Sequence, residues 1–374
     1  MSPAGGVRHL YVHLPFCAHR CGYCDFVTLV GRRDSHEEYV NALLRELDLE
    51  RGVLSKHLET VFLGGGTPTF TEPAALERLL AALPPAHELT VEANPETVTP
   101  ELAALLRRGG VTRVSLGAQS FQPQLLSVLE RQANPEDVRR AFYHLRDACF
   151  DNISLDLIYG IPGQSPSDLE QDLEESLSLG PEHLSCYELE AKPGTRFTHA
   201  WGDELASQAD AMEGYFELVV ERLTAAGYRW YETANFCRDG RQARHNLGYW
   251  LGHDYLGLGI GAVSTVSGLR WRNAPKLGAY VAALFEGGRP PREVEEIDEM
   301  TQTRERLMLG LRLEEPLALG EVETAVDQEA LLRLEGLGLL ERRGHGLALT
   351  RRGRFLGGGV TAELLTEIPA KQYN

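Results

Sequence analysis

The sequence has no apolar stretch near the roughly 18 residues of a membrane-spanning helix, and its start, MSPAGGVRHLYV, lacks the apolar region of a signal peptide. Cysteine is scarce, with six in 374 residues. Three of these, Cys149, Cys186 and Cys237, are scattered, which is not the pattern of a disulfide framework. These absences predict a cytoplasmic protein whose clustered thiols bind metal or carry out redox chemistry.

Positive charge is also scarce. The chain has 37 Lys and Arg against 54 Asp and Glu, which gives a formal net charge of −17. Such a chain repels nucleic acid unless it has a strong local basic patch. The one concentrated patch, ERRGHGLALTRRGRF at residues 341–355, is typical of a solvated hairpin face. We therefore expect no nucleic-acid partner.

The chain does contain a regular alternation of short apolar stretches and helical patterns. This alternation predicts an α/β fold with a parallel sheet and right-handed crossovers. Closed on itself, such a sheet is a full or partial (β/α)6 barrel of the TIM type, with its chemistry at the carboxyl ends of the strands. The six candidate strands are HLYVHLPF, ETVFLGGG, HELTVEAN, RVSLGAQS, NISLDLIYG and HLSCYELE.

The pattern changes after about Trp230. Residues 236–290 are rich in Gly and aromatics and predict short strands and loops laid against the barrel, while FEGGRPPREVEE predicts a linker. A helix, further helices and a hairpin then follow in an order that resembles a winged helix. The predicted boundaries are 1–235 for the barrel core, 236–290 for the flanking segment and 298–374 for a small C-terminal helical domain.

Three cysteines, Cys17, Cys21 and Cys24, fall within eight residues just after the first strand. Thiolates are the usual ligands of iron–sulfur clusters, and three of them can hold a cubane while its fourth iron stays open to a substrate. Spacing alone leaves two alternatives, a zinc site and chance. The zinc site would take its remaining ligand from a nearby polar side chain, namely His13, His19 or Asp25.

Other polar and glycine-rich features follow the next strands at the same end. GGGTPT lets backbone N–H groups approach a ligand closely, or else forms a plain tight turn. Glu92 ends the third strand, where a carboxylate can accept hydrogen bonds from ribose hydroxyls. Gln119 ends the fourth strand and Asp156 lies in the fifth. Each residue alone is more often solvated or salt-bridged.

Together these features resemble the radical S-adenosylmethionine (SAM) superfamily, and within it the oxygen-independent coproporphyrinogen oxidase-like branch, from about His9 to beyond Phe355. The resemblance implies a [4Fe–4S] cluster on the three clustered cysteines, with SAM chelating the fourth iron and being cleaved to a 5′-deoxyadenosyl radical. LERQAN departs from the usual LxRxH form by lacking its histidine, which bears on a second SAM site. The implied contacts are Tyr11, Gly65, Gly66, Thr67 and Glu92 for SAM, Tyr23 beside the cluster, and Gln119, Arg131 and Asp156 for a second SAM.

RHNLGYW contains the signature HNxxYW, at His245, Asn246, Tyr249 and Trp250. This signature resembles that of the HemW group in the same branch, whose members bind haem and deliver it to respiratory haem proteins. Imidazole is a common axial ligand of haem iron, and aromatic rings offer flat apolar surface to a macrocycle. Two alternatives stay open: His245 is a core histidine with packing aromatics around it, or His253 is the ligand instead.

The resemblance therefore implies a haem chaperone that binds a [4Fe–4S] cluster, SAM and haem, and passes haem to respiratory proteins at the membrane surface. Whether it is also an enzyme, and whether it forms a homodimer, stay open. The rival function is oxygen-independent coproporphyrinogen III oxidation. Two departures count against the rival: Phe26 stands where the oxidases have a further cysteine, and the first strand begins almost at the terminus.

Overall fold

A twelve-stranded sheet is the centre of the computed structural model, which describes residues 5–190, 192, 196–208 and 211–366. A three-stranded and a two-stranded sheet accompany it. The strands are β1 (His9–Leu14), β2 (Phe16–Cys17), β3 (Leu29–Val30), β4 (Leu58–Gly65), β5 (Ala86–Ala93), β6 (Arg113–Gln119), β7 (Ile153–Tyr159), β8 (His183–Glu188), β9 (Arg229–Trp230), β10 (Asn235–Cys237), β11 (Tyr255–Leu258), β12 (Val263–Val266), β13 (Leu269–Asn273), β14 (Arg292–Glu296), β15 (Leu317–Ala318), β16 (Leu340–Arg343) and β17 (Gly346–Leu349).

The helices begin at residues that suit a helix N-terminus. Thr99, Asn134 and Ser165 each accept a hydrogen bond from a backbone N–H of the first turn of α3, α5 and α6 in the list below. The helices are α1 (Arg33–Glu50), α2 (Pro73–Ala82), α3 (Pro100–Arg108), α4 (Pro123–Val128), α5 (Pro135–Asp147), α6 (Pro166–Leu179), α7 (Arg196–Gln208), α8 (Met212–Ala225), α9 (Arg244–Trp250), α10 (Leu277–Phe285), α11 (Glu299–Gly310), α12 (Gln328–Gly336), α13 (Arg351–Phe355) and α14 (Gly357–Leu364).

The sheet confirms the predicted α/β architecture. Strands β1, β4, β5, β6, β7 and β8 lie side by side in this order, and every neighbouring pair among them is parallel. Helices connect these strands, and most of the strand residues are buried, as in parallel strands generally. Strands β11 to β14 extend one edge and β10 and β9 the other, and the two edges do not pair. The barrel is therefore partial.

Two predictions for the segment beside the barrel are wrong. The HNxxYW motif was expected among strands and loops, but it forms α9. The Glu88 carboxylate accepts hydrogen bonds from the backbone N–H groups of Arg244 and His245. Glu88 thereby caps the N-terminus of α9, where the local N-cap residue makes no side-chain hydrogen bond. The predicted linker contains β14, which pairs antiparallel with β13. Its charged side chains suit an exposed edge strand.

The C-terminal unit has the predicted winged-helix-like order. Helix α11, strand β15, helix α12 and the β16–β17 hairpin enclose an apolar core of their own. Arg354 joins this unit to the barrel, because its guanidinium lies 3.6 Å from the ring centroid of Trp230 and donates to the Trp230 carbonyl. The domain boundaries remain predictions, and residues 367–374 lie outside the described part of the chain.

None of the helices in the described ranges is long and apolar enough to span a bilayer.

Candidate functional site

A cavity of about 1050 Å³ opens at the carboxyl ends of the parallel strands, between the barrel and the C-terminal unit. This is the end of the sheet at which the sequence predicted the chemistry. Leu311, Arg312, Arg354 and Phe355 line it from the C-terminal side. Eight of the predicted site residues line it from the barrel side, namely Tyr11, Tyr23, Cys24, Gly65, Glu92, Gln119, Asp156 and Asn246.

The segment that carries Cys17, Cys21 and Cys24, here called the cysteine loop, follows β1 and is fixed at its two ends. Cys17 lies in β2, which pairs with β3, and the Gly31 N–H donates to the Cys17 carbonyl at 2.8 Å. Within the loop, the Cys24 N–H donates to the Cys21 carbonyl at 3.2 Å, which forms a turn between these two ligand candidates. The loop therefore presents three thiols from a short segment with defined ends.

A hydrogen-bond network connects two of these thiols to the neighbouring strands. Arg131 donates to the Asn94 side chain at 2.8 Å and approaches the Cys21 sulfur at 3.6 Å. The Asn94 amide donates to the Thr67 hydroxyl at 2.9 Å, and that hydroxyl donates to the Cys17 sulfur at 3.4 Å. Donors directed at the sulfurs stabilise thiolates and tune a bound cluster.

Burial raises the pKa of the Cys17 thiol to about 11, although the hydrogen bond from Thr67 opposes the shift. Burial also raises the pKa of Cys24. Both thiols are therefore protonated at neutral pH in the metal-free protein. Because iron–sulfur clusters bind thiolates, metal binding at this loop must release protons.

The neighbouring histidines do not favour the zinc alternative. The His13 ring lies near the Tyr11 hydroxyl at 3.0 Å and the Val27 carbonyl at 2.8 Å, so both of its nitrogens are engaged. His19 lies 3.9 Å from a Glu130 carboxylate oxygen. Over the described ranges of the chain, no group of three or more His, Cys, Asp or Glu is placed to hold a single ion. The donor set of three thiols fits an iron–sulfur cluster, whose ligands bind different irons.

The glycines of GGGTPT have a packing role. A Cβ on Gly65 would lie 2.4 Å from the His13 ring, and a Cβ on Gly66 would lie 2.6 Å from the Pro15 backbone. Gly65 also has a φ of +110°, which side chains rarely allow. The loop after β4 therefore packs directly against the segment that leads into the cysteine loop.

Two carboxylates lie inside the cavity. The pKa of Glu92 is raised to about 7, mainly by burial and to a smaller extent by the nearby Asp156, while a 3.0 Å hydrogen bond from the Gly65 N–H opposes the shift. Burial also raises the pKa of Asp156, whose oxygens accept from the Ser115 hydroxyl at 3.1 and 3.0 Å. Both carboxylates can accept hydrogen bonds from hydroxyl groups of a ligand.

Gln119 has a strained backbone at the end of β6. Its φ is +67°, and the pairing of β6 with β7 shifts register between Gly117 and Gln119. The bulge places the Gln119 side chain in the cavity wall, while Arg131 donates to the Gly117 carbonyl at 3.0 Å. The three residues expected at a second SAM site therefore lie in one region, with Asp156 and Gln119 in the wall and Arg131 beside it.

Helix α9 places the four residues of HNxxYW on different sides. Asn246 lines the large cavity. The Trp250 ring lies under the Arg312 guanidinium, 4.2 Å from its carbon, and so contacts the C-terminal unit. His245 is buried and bonded at both nitrogens, to the Thr60 hydroxyl at 2.7 Å and the Tyr249 hydroxyl at 2.9 Å. As placed, His245 has no nitrogen free for iron.

The sequence assigns no role to several residues that organise this region, although Asn94 stands with Glu92 at the end of the third predicted strand. Asn94 joins the cysteine loop to Arg131, Glu88 caps α9, and Thr60 joins β4 to His245. Each is an ordinary polar residue in a strand or at its end. Their common signal is a polar side chain within an otherwise apolar parallel strand.

Comparison with known proteins shows the families to which this chain is similar. The chain matches the family model of the radical SAM superfamily over residues 11–175 and that of the HemN C-terminal domain over residues 297–356. Several curated relatives carry the name "Heme chaperone HemW". The relative from Mycobacterium tuberculosis is 37% identical over 368 residues, which are 95% of this chain and 94% of the relative. The Bacillus subtilis relative is 33% identical over 380 residues (97% and 100%), and the Escherichia coli relative is 38% identical over 266 residues (69% and 70%).

A solved structure shows the same fold. Coproporphyrinogen III oxidase (HemN) from Escherichia coli, a radical SAM enzyme, superposes with a TM-score of 0.81 at 23% identity, covering 96% of this chain and 90% of that chain. Membership of the superfamily implies a [4Fe–4S] cluster and SAM as cofactors. The chain belongs to the radical SAM superfamily, in its coproporphyrinogen oxidase-like branch, and within that branch to the HemW family.

Proposed function

We propose that this protein is a haem chaperone, which holds a [4Fe–4S] cluster on Cys17, Cys21 and Cys24, binds SAM, and binds haem for delivery to respiratory haem proteins. The observation that carries the proposal is the position of α9. This helix bears the HNxxYW motif, packs on β4 and contacts α11 of the C-terminal unit. The names of the relatives support the same function.

The cluster would be held by the cysteine loop. When bound, the cluster supplies the electron that SAM cleavage requires. The residues of this chain hold the thiols in place: Thr67 donates to the Cys17 sulfur, and Arg131 places a positive charge beside Cys21. Phe26 lies in the cavity wall with 63% of its surface exposed, at the position where the oxidases have a further cysteine.

SAM would occupy the barrel half of the large cavity. The Glu92 carboxylate would accept hydrogen bonds from its ribose hydroxyls, and the backbone after β4 would contact its amino acid end. Tyr11 lies in the same wall, near Glu92. Gln119, Arg131 and Asp156 would contact a second SAM, if one binds.

The rival activity, coproporphyrinogen III oxidation, is favoured by one observation. Arg312 and Arg354 line the side of the large cavity that faces the predicted SAM site, where they are placed to meet substrate carboxylates. The absence of a cysteine at Phe26 counts against it. Anaerobic incubation with coproporphyrinogen, SAM and a reductant decides between the two, because formation of protoporphyrinogen would refute a chaperone without oxidase activity.

The cluster assignment has a simple test. Protein purified anaerobically should contain about four irons per chain by the cubane stoichiometry and show a sulfur-to-iron charge-transfer absorbance. A Cys21→Ala variant should lose both, while a Cys149→Ala variant, which changes an exposed cysteine elsewhere, should keep them. Colourless protein with stoichiometric zinc would contradict the assignment.

The haem assignment is tested by titrating haem into the purified protein. The parent chain should bind haem, and the double variant His245→Ala, Tyr249→Ala should bind it much more weakly. The matched control is His87→Ala, Tyr143→Ala, which removes an exposed histidine and an exposed tyrosine. Equal binding by the parent and the motif variant would overturn the haem role of HNxxYW, provided that both fold and bind SAM.

A further inference from the structure

A second cavity, of about 580 Å³, lies on the other side of α9 from the large one. It opens between the turn after α9, the strands β11 to β13, and α11 of the C-terminal unit. The large cavity is bordered by Asn246 of α9, whereas the second cavity is bordered by Tyr249. Its volume falls in the range of small-molecule and cofactor sites, ~300–1,000 Å³.

His253 lines this second cavity with one ring nitrogen unoccupied. Its Nδ1 lies 3.1 Å from Nε2 of His9, and the two rings are stacked with centroids 5.2 Å apart. Its Nε2 makes no hydrogen bond to any residue that the structure describes. Metal-ligating histidines almost always have this arrangement, with one nitrogen hydrogen-bonded to the protein and the other free for the metal.

His253, which is itself exposed, is the first member of a hydrogen-bond chain whose next members, His9, Thr60 and His245, are buried. Nδ1 of His9 lies 2.9 Å from the Thr60 hydroxyl, which lies 2.7 Å from Nδ1 of His245. Nε2 of His245 lies 2.9 Å from the Tyr249 hydroxyl. The chain thus begins at His253 in the second cavity and returns to that cavity at Tyr249.

The direction of this chain decides whether His253 can bind a metal. If Nδ1 of His253 donates to His9, then His9 donates to Thr60, Thr60 donates to His245, and His245 donates to Tyr249. Nε2 of His253 then carries a free electron pair. In the opposite direction Tyr249 donates, every proton points the other way, and Nε2 of His253 carries a proton. Each group keeps one proton in both directions, so both are chemically complete.

We propose that the second cavity is the haem site, with Nε2 of His253 as the axial ligand of the iron. This inference rests on the proposed haem function and assigns its location. One Fe–N bond forms from the Nε2 electron pair, no electron is transferred, and the proton on Nδ1 stays in its hydrogen bond to His9. Ligation therefore selects the first of the two hydrogen-bond directions, in which each group donates towards Tyr249. The Tyr249 hydroxyl is then free to donate into the cavity.

The assignment gives the HNxxYW residues a positioning role. His245 and Tyr249 form one end of the hydrogen-bond chain that orients the His253 ring. This role accounts for a buried motif histidine with both nitrogens bonded. Gly248 belongs to the same arrangement, because a Cβ there would lie 2.9 Å from Cε1 of His9. A larger residue at that position would displace the His9 ring from the chain.

The walls of the second cavity combine apolar surface with charged side chains of both signs, the acidic ones being Asp254, Glu305 and Glu321. Tyr255 and Leu309 supply apolar surface. Arg270 and Arg306 supply positive charge, but each is already paired with a glutamate of the wall, at 2.6 and 3.2 Å. Carboxylates of the ligand would exchange with these glutamates, so high salt should weaken haem binding.

The first experiment is a haem titration of cluster-free protein, read from the Soret band. The His253→Ala variant should lose the absorbance of an imidazole-ligated haem, and added imidazole should restore it by occupying the vacated position. His87→Ala is the matched control and should bind like the parent. If the parent binds no haem, the proposed function fails. If the parent binds haem and His253→Ala gives the same spectrum and affinity, only the location is wrong.

The hydrogen-bond chain has its own spectroscopic test. Thr60→Val removes the hydroxyl that joins His9 to His245, while Thr60→Ser keeps it. The Fe–histidine stretching frequency, measured by resonance Raman on the ferrous haem protein, should shift in Thr60→Val and return in Thr60→Ser. An unchanged frequency in Thr60→Val would show that the chain does not act on the ligand.

Blocking variants decide between the two cavities. Thr303→Trp on α11 would fill the second cavity, and Thr361→Trp on α14 would fill the large one. Haem binding should be lost in Thr303→Trp and kept in Thr361→Trp, with both variants still retaining the cluster. Haem binding lost only in Thr361→Trp would place haem in the large cavity and overturn the inference.

Discussion

Replacing Glu92 by Gln should make the metal-free protein more stable and its SAM complex weaker. Burial raises the pKa of this carboxyl from 4.5 to about 7, so the folded protein binds a proton between these pH values and the unfolded chain does not. Stability is then highest below the unfolded pKa and falls as the pH rises through this window. Above pH 7 the folded protein carries the full cost of an ionised, buried Glu92.

The magnitude follows from the same two pKa values. At about 1.4 kcal/mol per pH unit, the gap between 4.5 and about 7 corresponds to ~3 kcal/mol. The carboxylate borders a cavity that admits water, which lowers the cost to about 1–2 kcal/mol by solvent screening. Gln keeps an acceptor for the Gly65 N–H and removes the charge. The variant should therefore gain about 1–2 kcal/mol of unfolding free energy at pH 8 and little at pH 5.

The assay is urea unfolding of the cluster-free protein at pH 5 and pH 8, followed by calorimetric SAM titration of the reconstituted protein. Loss of charge-assisted hydrogen bonds to ribose should weaken SAM binding by about 1.5–3 kcal/mol. Glu77→Gln is the control, since Glu77 is exposed on α2. If Glu92→Gln has the same unfolding free energy as the parent at both pH values, the ionised carboxylate does not destabilise the folded protein. Unchanged SAM affinity would show that Glu92 is not part of the cofactor site.

Three further predictions concern the supports of the site. Arg131→Met removes the donors to the cysteine loop and to the end of β6, so iron retention, measured after gel filtration, should fall, while retention equal to the parent would contradict this role. Gly66→Ala places a Cβ 2.6 Å from the Pro15 backbone, and it should cost about 1–3 kcal/mol of unfolding free energy and lower iron content; a stable, iron-replete variant would count against it. Tyr280→Phe removes a 2.6 Å hydrogen bond to buried Glu46, which should cost about 1–3 kcal/mol in chemical denaturation and leave haem binding unchanged, and a loss of haem binding would show a wider role.

The barrel could be predicted from the sequence because its signal is local. Parallel strands covered on both faces are nearly continuous apolar runs, and six of the seven residues of β6 are buried. The helices between them begin at prolines and capping side chains that local sequence also shows. The polar residues at the strand ends then meet at one edge, since parallel strands all end there. This is why eight of the predicted site residues line one cavity.

The supports of the cysteine loop could not be predicted, because they depend on contacts between distant segments. Asn94 bonds to Thr67 and Arg131, which lie 27 and 37 residues away in the chain. Nothing in the sequence around Asn94 distinguishes it from a solvated residue at a strand end. Only the parallel pairing of β4, β5 and β6 brings these three side chains together.

The HNxxYW segment shows how one long-range contact changes the interpretation of a motif. Seven residues that include Gly and Asn are a weak local signal for a helix, yet Glu88, more than 150 residues away, caps the segment and makes it helical. On a helix, positions 245 and 249 share a face, and position 246 points elsewhere. The motif therefore cannot act as one ligand surface. Asn246 faces the large cavity. His245 and Tyr249 belong to the hydrogen-bond chain that ends at His253, which lines the second cavity. A linear motif with two faces predicts two kinds of variant, and substitutions at Asn246 should leave the haem spectrum intact while those at His245 alter it.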